Sequence, residues 1–383
     1  MRRLVWLIGA VVLVDTMFYA AITPLLPELA DSLDVGKGGA GVLLAAYAAG
    51  TLVGSLPGGW LAARVGVRAT VLVGLTLMAA SGLTFAFAQS IMLLDAARFL
   101  QGVGGACSWA GGMAWLAAAT PPARRGGVIG TALGAAIFGV QLGPVLGALA
   151  TAVGHAPAFA SAAVLGAALA AWARATPAPA GGRSAPATPL RALRDARMRA
   201  GMAVTALPAA AFGVLDVLAP LRLDALGAGG LAIGAVFFVA AAVEGLVSPA
   251  AGRAYDRLGA AVVVPAGLAA SGAGLLLLLV PGAVVPFAAV VVLAAGALGM
   301  LWAPAGGMLS HAADRIGLEQ GYAFAFFNLA WAGGFMIGAA AGGGAAGAVG
   351  DALPYAALAG GFGVAAAVAR GASRRDRALR STA

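Results

Sequence analysis

A few charged side chains sit inside stretches of sequence that are otherwise almost wholly apolar: Asp15, Asp95, Arg98, Asp216 and Glu244. A charge kept from water is costly unless it faces a partner or a wet cavity. An acid in such a place can take up and release a proton, or hold a cation instead. Asp15 lies in the middle of Leu13-Val14-Asp15-Thr16-Met17-Phe18-Tyr19, ahead of Pro24 and Pro27. On a helix Tyr19 shares its face, and the ring offers a π-surface to a cationic amine. The alternative for Asp15 is a buried acid satisfied by helix–helix hydrogen bonds. Glu244 has no base four residues away on either side; its alternative is a structural hydrogen bond. Asp216 falls toward the outer end of its run, before Pro220, where a solvated surface acid is the rival. Asp95 and Arg98 are three apart and can pair on one helix face. That pair either neutralises the cost of burial, or Arg98 exchanges partners with a protonatable acid. Asn328, Trp331 and Phe335 form a polar and aromatic stripe suited to packing or to substrate contact.

The elements that carry these residues follow from composition. Hydrophobic residues make up 62% of the 383, charged residues 10%, and mean hydropathy is +0.97. No soluble domain of this length needs so much apolar surface, and runs of about 20 apolar residues cross a bilayer as helices. Twelve such runs are expected, at 4–26, 38–60, 68–88, 91–116, 128–150, 156–174, 200–221, 230–252, 260–280, 284–308, 320–345 and 350–369. The start, with two arginines before an apolar run, resembles a signal peptide. The run is too long, carries Asp15 and lacks a small-x-small cleavage site, so the first membrane helix is expected there.

The net charge of +9 points to nucleic acid only until its placement is considered. With twelve spans and both ends cytoplasmic, almost every base falls inside, from Arg2 and Arg3 to Arg370–Arg380; Lys37, Arg98 and Arg222 are the exceptions. That is the positive-inside bias of a multi-pass protein of the cell membrane, and it implies the lipid bilayer rather than nucleic acid as partner. A single Cys, Cys107, excludes an internal disulfide and a Cys-rich metal site. His155 and His311 are far apart and expected to be structural or solvated. No HExxH pair, GxSxG elbow or Walker loop is present, which argues against an intramembrane enzyme, a metal or a cofactor, and leaves an ion gradient as the energy source.

Gly130, Gly139, Gly143, Pro144 and Gly147 follow the spacing G-x8-G-x3-G-P-x2-G in one apolar run. Each helical Gly costs about 1 kcal/mol against Ala and an interior Pro more, so propensity does not explain the row. Three of the glycines recur every fourth residue and make one smooth face for a neighbouring backbone. The arrangement closely resembles the antiporter motif in the fifth helix of drug:proton antiporters of the major facilitator superfamily, departing at Ala148. Arg98-x2-Gln101-Gly102-x-Gly104-Gly105-Ala106 resembles that superfamily's R-x2-Q-G-x-G-A element, linked in exporters to proton coupling. Asp15-x8-Pro24-x2-Pro27 is similar to helix 1 of vesicular amine transporters and related multidrug exporters, in which the carboxylate serves cationic substrate or proton. Asp216 resembles the helix 7 acid of the same exporters. Asn328 stands where those transporters carry an acid.

The chain also echoes itself. Gly59, Arg64, Gly66 and Arg68 return in part as Gly252, Asp256, Arg257 and Gly259, and the four-residue glycine row returns at Gly334, Gly338 and Gly342. The repeated loop resembles the superfamily's G-x3-D-R-x-G-R gating loop, with Ala63 in the acid's place in the first copy. A latch that leans on Asp256 and Arg257 is therefore expected. The hydrophilic stretch 175–199 is expected to be a cytoplasmic linker between an N-terminal bundle, 1–174, and a C-terminal bundle, 200–370, with a basic tail at 371–383.

The resemblance implies an all-α membrane protein of the major facilitator fold, twelve transmembrane helices in two pseudo-symmetric six-helix bundles. It implies proton-coupled export of a small lipophilic or cationic molecule by alternating access. Uptake or facilitated diffusion of a sugar or organic acid on the same fold is the alternative. The superfamily default is a monomer.

Overall fold

The computed structural model describes residues 2–178, 189–280, 282–318 and 320–381. Every regular element among them is helical. The first half holds α1 (Arg2–Ala20), a 3-10 turn (Thr23–Leu25), α2 (Leu26–Ser32), α3 (Lys37–Arg64), α4 (Val67–Phe87), α5 (Ile91–Ala119), α6 (Pro122–Val153) and α7 (His155–Ala175). After a second 3-10 turn (Pro189–Arg194) come α8 (Ala196–Ala225), α9 (Gly230–Leu258), α10 (Ala260–Leu277), α11 (Val284–Gly299), α12 (Trp302–Arg315), α13 (Gln320–Val349) and α14 (Ala352–Ser381).

Among the described residues, eleven helical runs are long and apolar enough to cross a membrane, with α1–α2 and α11–α12 each counting as one. The fourth predicted span, α5, has the length at 29 residues, but Asp95, Arg98 and Gln101 lower its hydropathy. The result is an all-α, multi-pass membrane protein. Two of the predicted spans are broken rather than straight. Pro24 and Pro27 turn the first into a 3-10 step between α1 and α2. The tenth breaks at Met300 and Leu301, just before Pro304. A proline has no N–H for the preceding turn, so the chain can step there cheaply.

The chain divides into two compact units, Met1–Ala187 with Gly229–Phe238, and Thr188–Ala228 with Val239–Ala383. In the first, α1 packs on α6, α3 and α4 on α5, and α4 on α7. In the second, α8 packs on α13, α10 on α14, and α12 on α8 and α13. The glycine row of α6 forms its predicted smooth face, and α1 is the backbone it admits. A Cβ on Gly139 would lie 2.2 Å from the Leu13 carbonyl oxygen, and one on Gly147 would lie 2.1 Å from that of Ala21. Gly130 lies in α6 outside the residues whose surroundings are described. The echo in α13 repeats the device: Cβ atoms on Gly334 and Gly338 would lie 2.2 and 2.0 Å from the carbonyl oxygens of Ala206 and Ala210 in α8. Ala148, the departure from the motif, is accommodated by Gly234, whose Cβ would lie 2.4 Å from that of Ala148.

The short loops before α4 and α10 turn on Gly66 (φ 115°) and Gly259 (φ 78°), a left-handed backbone that glycine adopts without strain. Gly59 and Gly252 are not turn residues: both lie inside helices, and Gly59 faces open space.

The entry to α8 is fixed by one acid. Asp195 caps the helix by accepting from the backbone N–H groups of Arg197 and Met198, and it pairs with Arg315 at the end of α12. The Met198 N–H above all, and then the Arg315 guanidinium, hold the Asp195 carboxyl below its ordinary value. A depressed folded value means stabilisation that is complete above the unfolded value, near 4, and is lost as pH falls through the folded one. Asp195→Asn is thus expected to lower the melting temperature at pH 6, with the difference from the native chain closing as the pH falls below the ordinary carboxylate value and through the lower folded one. A difference that is constant with pH would show that the charge contributes nothing.

Candidate functional site

Asp15 is the most enclosed acid in the first unit, 1% exposed. Three helices build its surroundings. The Tyr47 hydroxyl of α3 donates to Oδ2 (3.3 Å), and the Trp109 indole N–H of α5 donates to the same oxygen (3.1 Å). Oδ1 is buried with no hydrogen-bond partner. Gly105 backs the carboxylate, since a Cβ there would lie 2.9 Å from Oδ1. The other glycines of that α5 element have separate tasks. Gly102 lets the α3 backbone approach at Tyr47, and Gly104 does the same for α4 at Gly74. Thus the R-x2-Q-G-x-G-G spacing brings α3 and α4 close enough to α5 for Tyr47 to reach Asp15.

Arg98 is buried beside this acid without sitting on it. Its guanidinium lies 5.0 Å from the Tyr47 ring centre and 5.8 Å from that of Tyr19. It donates to Gln101 Oε1 (2.7 Å) and to the Tyr19 carbonyl (3.3 Å), while Nε has no partner. The Asp95–Arg98 pair permitted by sequence does not form. Asp95 Oδ1 is buried and unpartnered, and the Gln101 side chain, three residues onward, takes the guanidinium instead. Tyr19 and Tyr47 pack ring on ring at 4.7 Å. The cluster is a carboxylate and a guanidinium kept apart by two phenol rings, one of which bonds the acid through its hydroxyl.

In the second unit, Glu244 of α9 accepts from the Trp302 indole N–H (2.7 Å). The helix break before Pro304 places Trp302 at the first position of α12. Gly299 gives Glu244 its seat, because a Cβ there would lie 2.7 Å from Glu244 Cγ. Asp216, on α8, is half-buried and has no hydrogen-bond partner among the described residues. Trp331 stacks on Phe335 at 5.6 Å; Asn328 beside them is half-buried.

The loop residues are less tied together. Arg64 lies over the Trp60 ring, and Arg68 donates to the Thr176 carbonyl at the end of α7. Asp256 and Arg257 are exposed and form no ion pair among the described residues; Asp195 and Arg315, in the same unit, do pair. Among the described residues no group of side chains suits a metal ion.

Three contributors escaped the sequence reading: Tyr47, Trp109 and Trp302. One signal existed for the two tryptophans. They are 193 residues apart, the same offset that separates Gly59 from Gly252 and Gly66 from Gly259. Tyr47→Phe is expected to keep the fold and leave Asp15 with the Trp109 bond alone, lowering affinity for a cationic ligand by about tenfold or less. Equilibrium binding on the purified variant checks this; a loss as large as that of Asp15→Asn would mean that Tyr47 contacts the ligand directly.

A family model described as Major Facilitator Superfamily matches residues 8–244. The synaptic vesicular amine transporter of Homo sapiens is 39% identical over 105 residues, 27% of this chain and 20% of that protein. The MFS-type transporter ppzB of Metarhizium rileyi is 30% identical over 136 residues, 34% of this chain and 28% of that protein. The matched stretches thus span under a third of these relatives. Among solved structures, a POT family transporter in complex with 5-aminolevulinic acid superposes with a TM-score of 0.78 at 13% identity, over 97% of this chain and 96% of that one. A D-xylose-proton symporter superposes with a TM-score of 0.74 at 16% identity, over 96% and 95%.

Proposed function

Because the chain belongs to the major facilitator superfamily, whose members are transporters rather than enzymes, we propose that it is a proton-coupled secondary transporter of a small solute, working by alternating access. Within that reading, the solute is a lipophilic or cationic molecule, and it leaves the cell in exchange for protons. The observation that carries the finer reading is the state of Asp15: a sealed carboxylate, held by two neutral donors, with one oxygen unbonded and no cationic nitrogen paired with it. Burial of such a charge is unfavourable. A proton relieves it, and so does an organic cation placed against the Tyr19 and Tyr47 rings. The two compete for one group, and that competition couples their movements. A ligand moves a conformational equilibrium only by binding its states unequally, and a carboxylate that is sealed in one state and open in another supplies the difference. Similarity to a vesicular amine transporter supports this reading.

Uptake of a small solute such as a sugar or organic acid is the second reading. The fold shared with the D-xylose-proton symporter over nearly the whole chain favours it, as does Arg98, a buried cation that suits an anionic group. Inside-out vesicles with an acid interior and a pH-sensitive dye distinguish the two. Proton release on adding amines, dyes or antibiotics is expected for export. Proton-driven accumulation of a labelled sugar or organic acid in whole cells, without such release, would establish uptake.

A further inference from the structure

The second unit contains a second place where negative charge meets aromatic faces, and it is no symmetry copy of the first. Trp302 occupies the position equivalent to Trp109, but Pro208 stands at the equivalent of Asp15. The acid that Trp302 meets comes from α9 instead. Its indole N–H fixes Glu244 Oε1, which leaves Oε2 without a protein partner among the described residues. The Trp302 ring is stacked on Phe212 (5.8 Å, 18°) and set edge-on to Phe327 (6.1 Å, 63°). Phe212 and Asp216 are four apart on α8, so one helix face carries both the stacked ring and a second carboxylate. Asp216 and Glu244 are close enough for their charges to act on each other. No Lys or Arg pairs with either acid among the described residues. The Tyr355 hydroxyl of α14, 2% exposed and without a partner, lies within electrostatic reach of Asp351 first and of Asp216 second.

We propose that the second unit holds its own cation site, formed by Glu244 and Asp216 against the faces of Phe212 and Trp302, and that it takes one organic ammonium or phosphonium ion. Two carboxylates without a counter-ion are an unfavourable arrangement in an apolar setting until a cation arrives. Flat rings suit an organic cation rather than a small hydrated metal ion, because their π-faces attract it without demanding oxygen ligands. The inference rests on the reading of the chain as a transporter of cationic molecules and extends it to a site that binds a cation without Asp15, while proton coupling stays with Asp15.

The test is equilibrium dialysis of radiolabelled tetraphenylphosphonium against the detergent-purified full chain. Asp15→Asn is expected to keep binding, and the double variant Asp15→Asn, Glu244→Gln to lose it. In the Asp15→Asn background, Trp302→Leu removes both the ring and the N–H that orients Glu244, and is expected to weaken binding by about tenfold or more. Melting curves establish that each variant is folded; if the Glu244 variant is not, Asp216→Asn replaces it with the same expectation. Loss of all binding in folded Asp15→Asn overturns the proposal, as does binding in that background that survives Glu244→Gln. If Asp15→Asn leaves binding unchanged while Glu244→Gln alone abolishes it, the second site stands and the role given to Asp15 falls.

Discussion

Asp15→Asn is expected to abolish compound-dependent proton release from vesicles while leaving the protein folded. The amide is nearly isosteric, and its carbonyl oxygen can accept the same bonds from Trp109 and Tyr47 that Oδ2 accepts. What it cannot do is gain and lose a proton, or oppose a positive charge. Removing one member of a buried charge pair costs about 2–5 kcal/mol, so a cation bound at this acid is expected to lose about a hundredfold or more in affinity. Asp15→Glu separates charge from geometry. The carboxylate already presses on Gly105, so the extra methylene has no room and only partial activity is expected. Proton release that survives Asp15→Asn at the native rate would remove this acid from the coupling step.

The second large effect concerns the seam between α1 and α6. Gly139→Ala places a Cβ where 2.2 Å separates it from both the Leu13 carbonyl oxygen and Thr16 Oγ1. Neither can move freely: the first is backbone, and the Thr16 hydroxyl lies 2.8 Å from the Ala136 carbonyl across the same seam. Overpacking of this kind costs about 1–3 kcal/mol, here compounded by the loss of an interhelical hydrogen bond. A melting temperature several degrees lower and a large loss of transport are expected. Gly134→Ala, one turn and a half earlier on the same helix, is the control. Nothing lies within 4 Å of its Cβ, and Ala is the better helix former by about 1 kcal/mol. Equal melting temperatures for the two variants would mean that the seam is looser than its geometry implies.

The contrast between these glycines shows what spacing can reveal. Residues spaced by four share a face on any helix, so Gly139, Gly143 and Gly147 announce a close approach in the sequence itself. The identity of the helix that approaches is not in that spacing. Arg98 illustrates the same limit. Asp95 and Gln101 are equally spaced from it, three residues before and three after, and sequence permits either as its partner. The aromatic faces of Tyr19 and Tyr47, from α1 and α3, draw the guanidinium inward, and Gln101 is the neighbour on that side. The loop pattern likewise names Asp256 and Arg257 without naming what they meet, and an ion pair of the same unit, between Arg315 at the end of α12 and Asp195 at the start of α8, has no mark in that pattern.

By itself the sequence determined that the chain crosses a membrane as helices, because apolar length is a local property. It did not determine where the helices break, because prolines stand both at the breaks and inside continuous helices, as Pro57, Pro144 and Pro249 do. It did single out Asp15 and Glu244, because a charge in an apolar run is conspicuous without any knowledge of its neighbours. Only the tertiary structure decided what those acids touch. Tyr47 and Trp109 come to Asp15 from 32 and 94 residues away, and Trp302 to Glu244 from 58. Contacts at such separations follow from which helix faces pack together, and an ordinary tyrosine or tryptophan in an apolar run carries no mark of the acid it will meet.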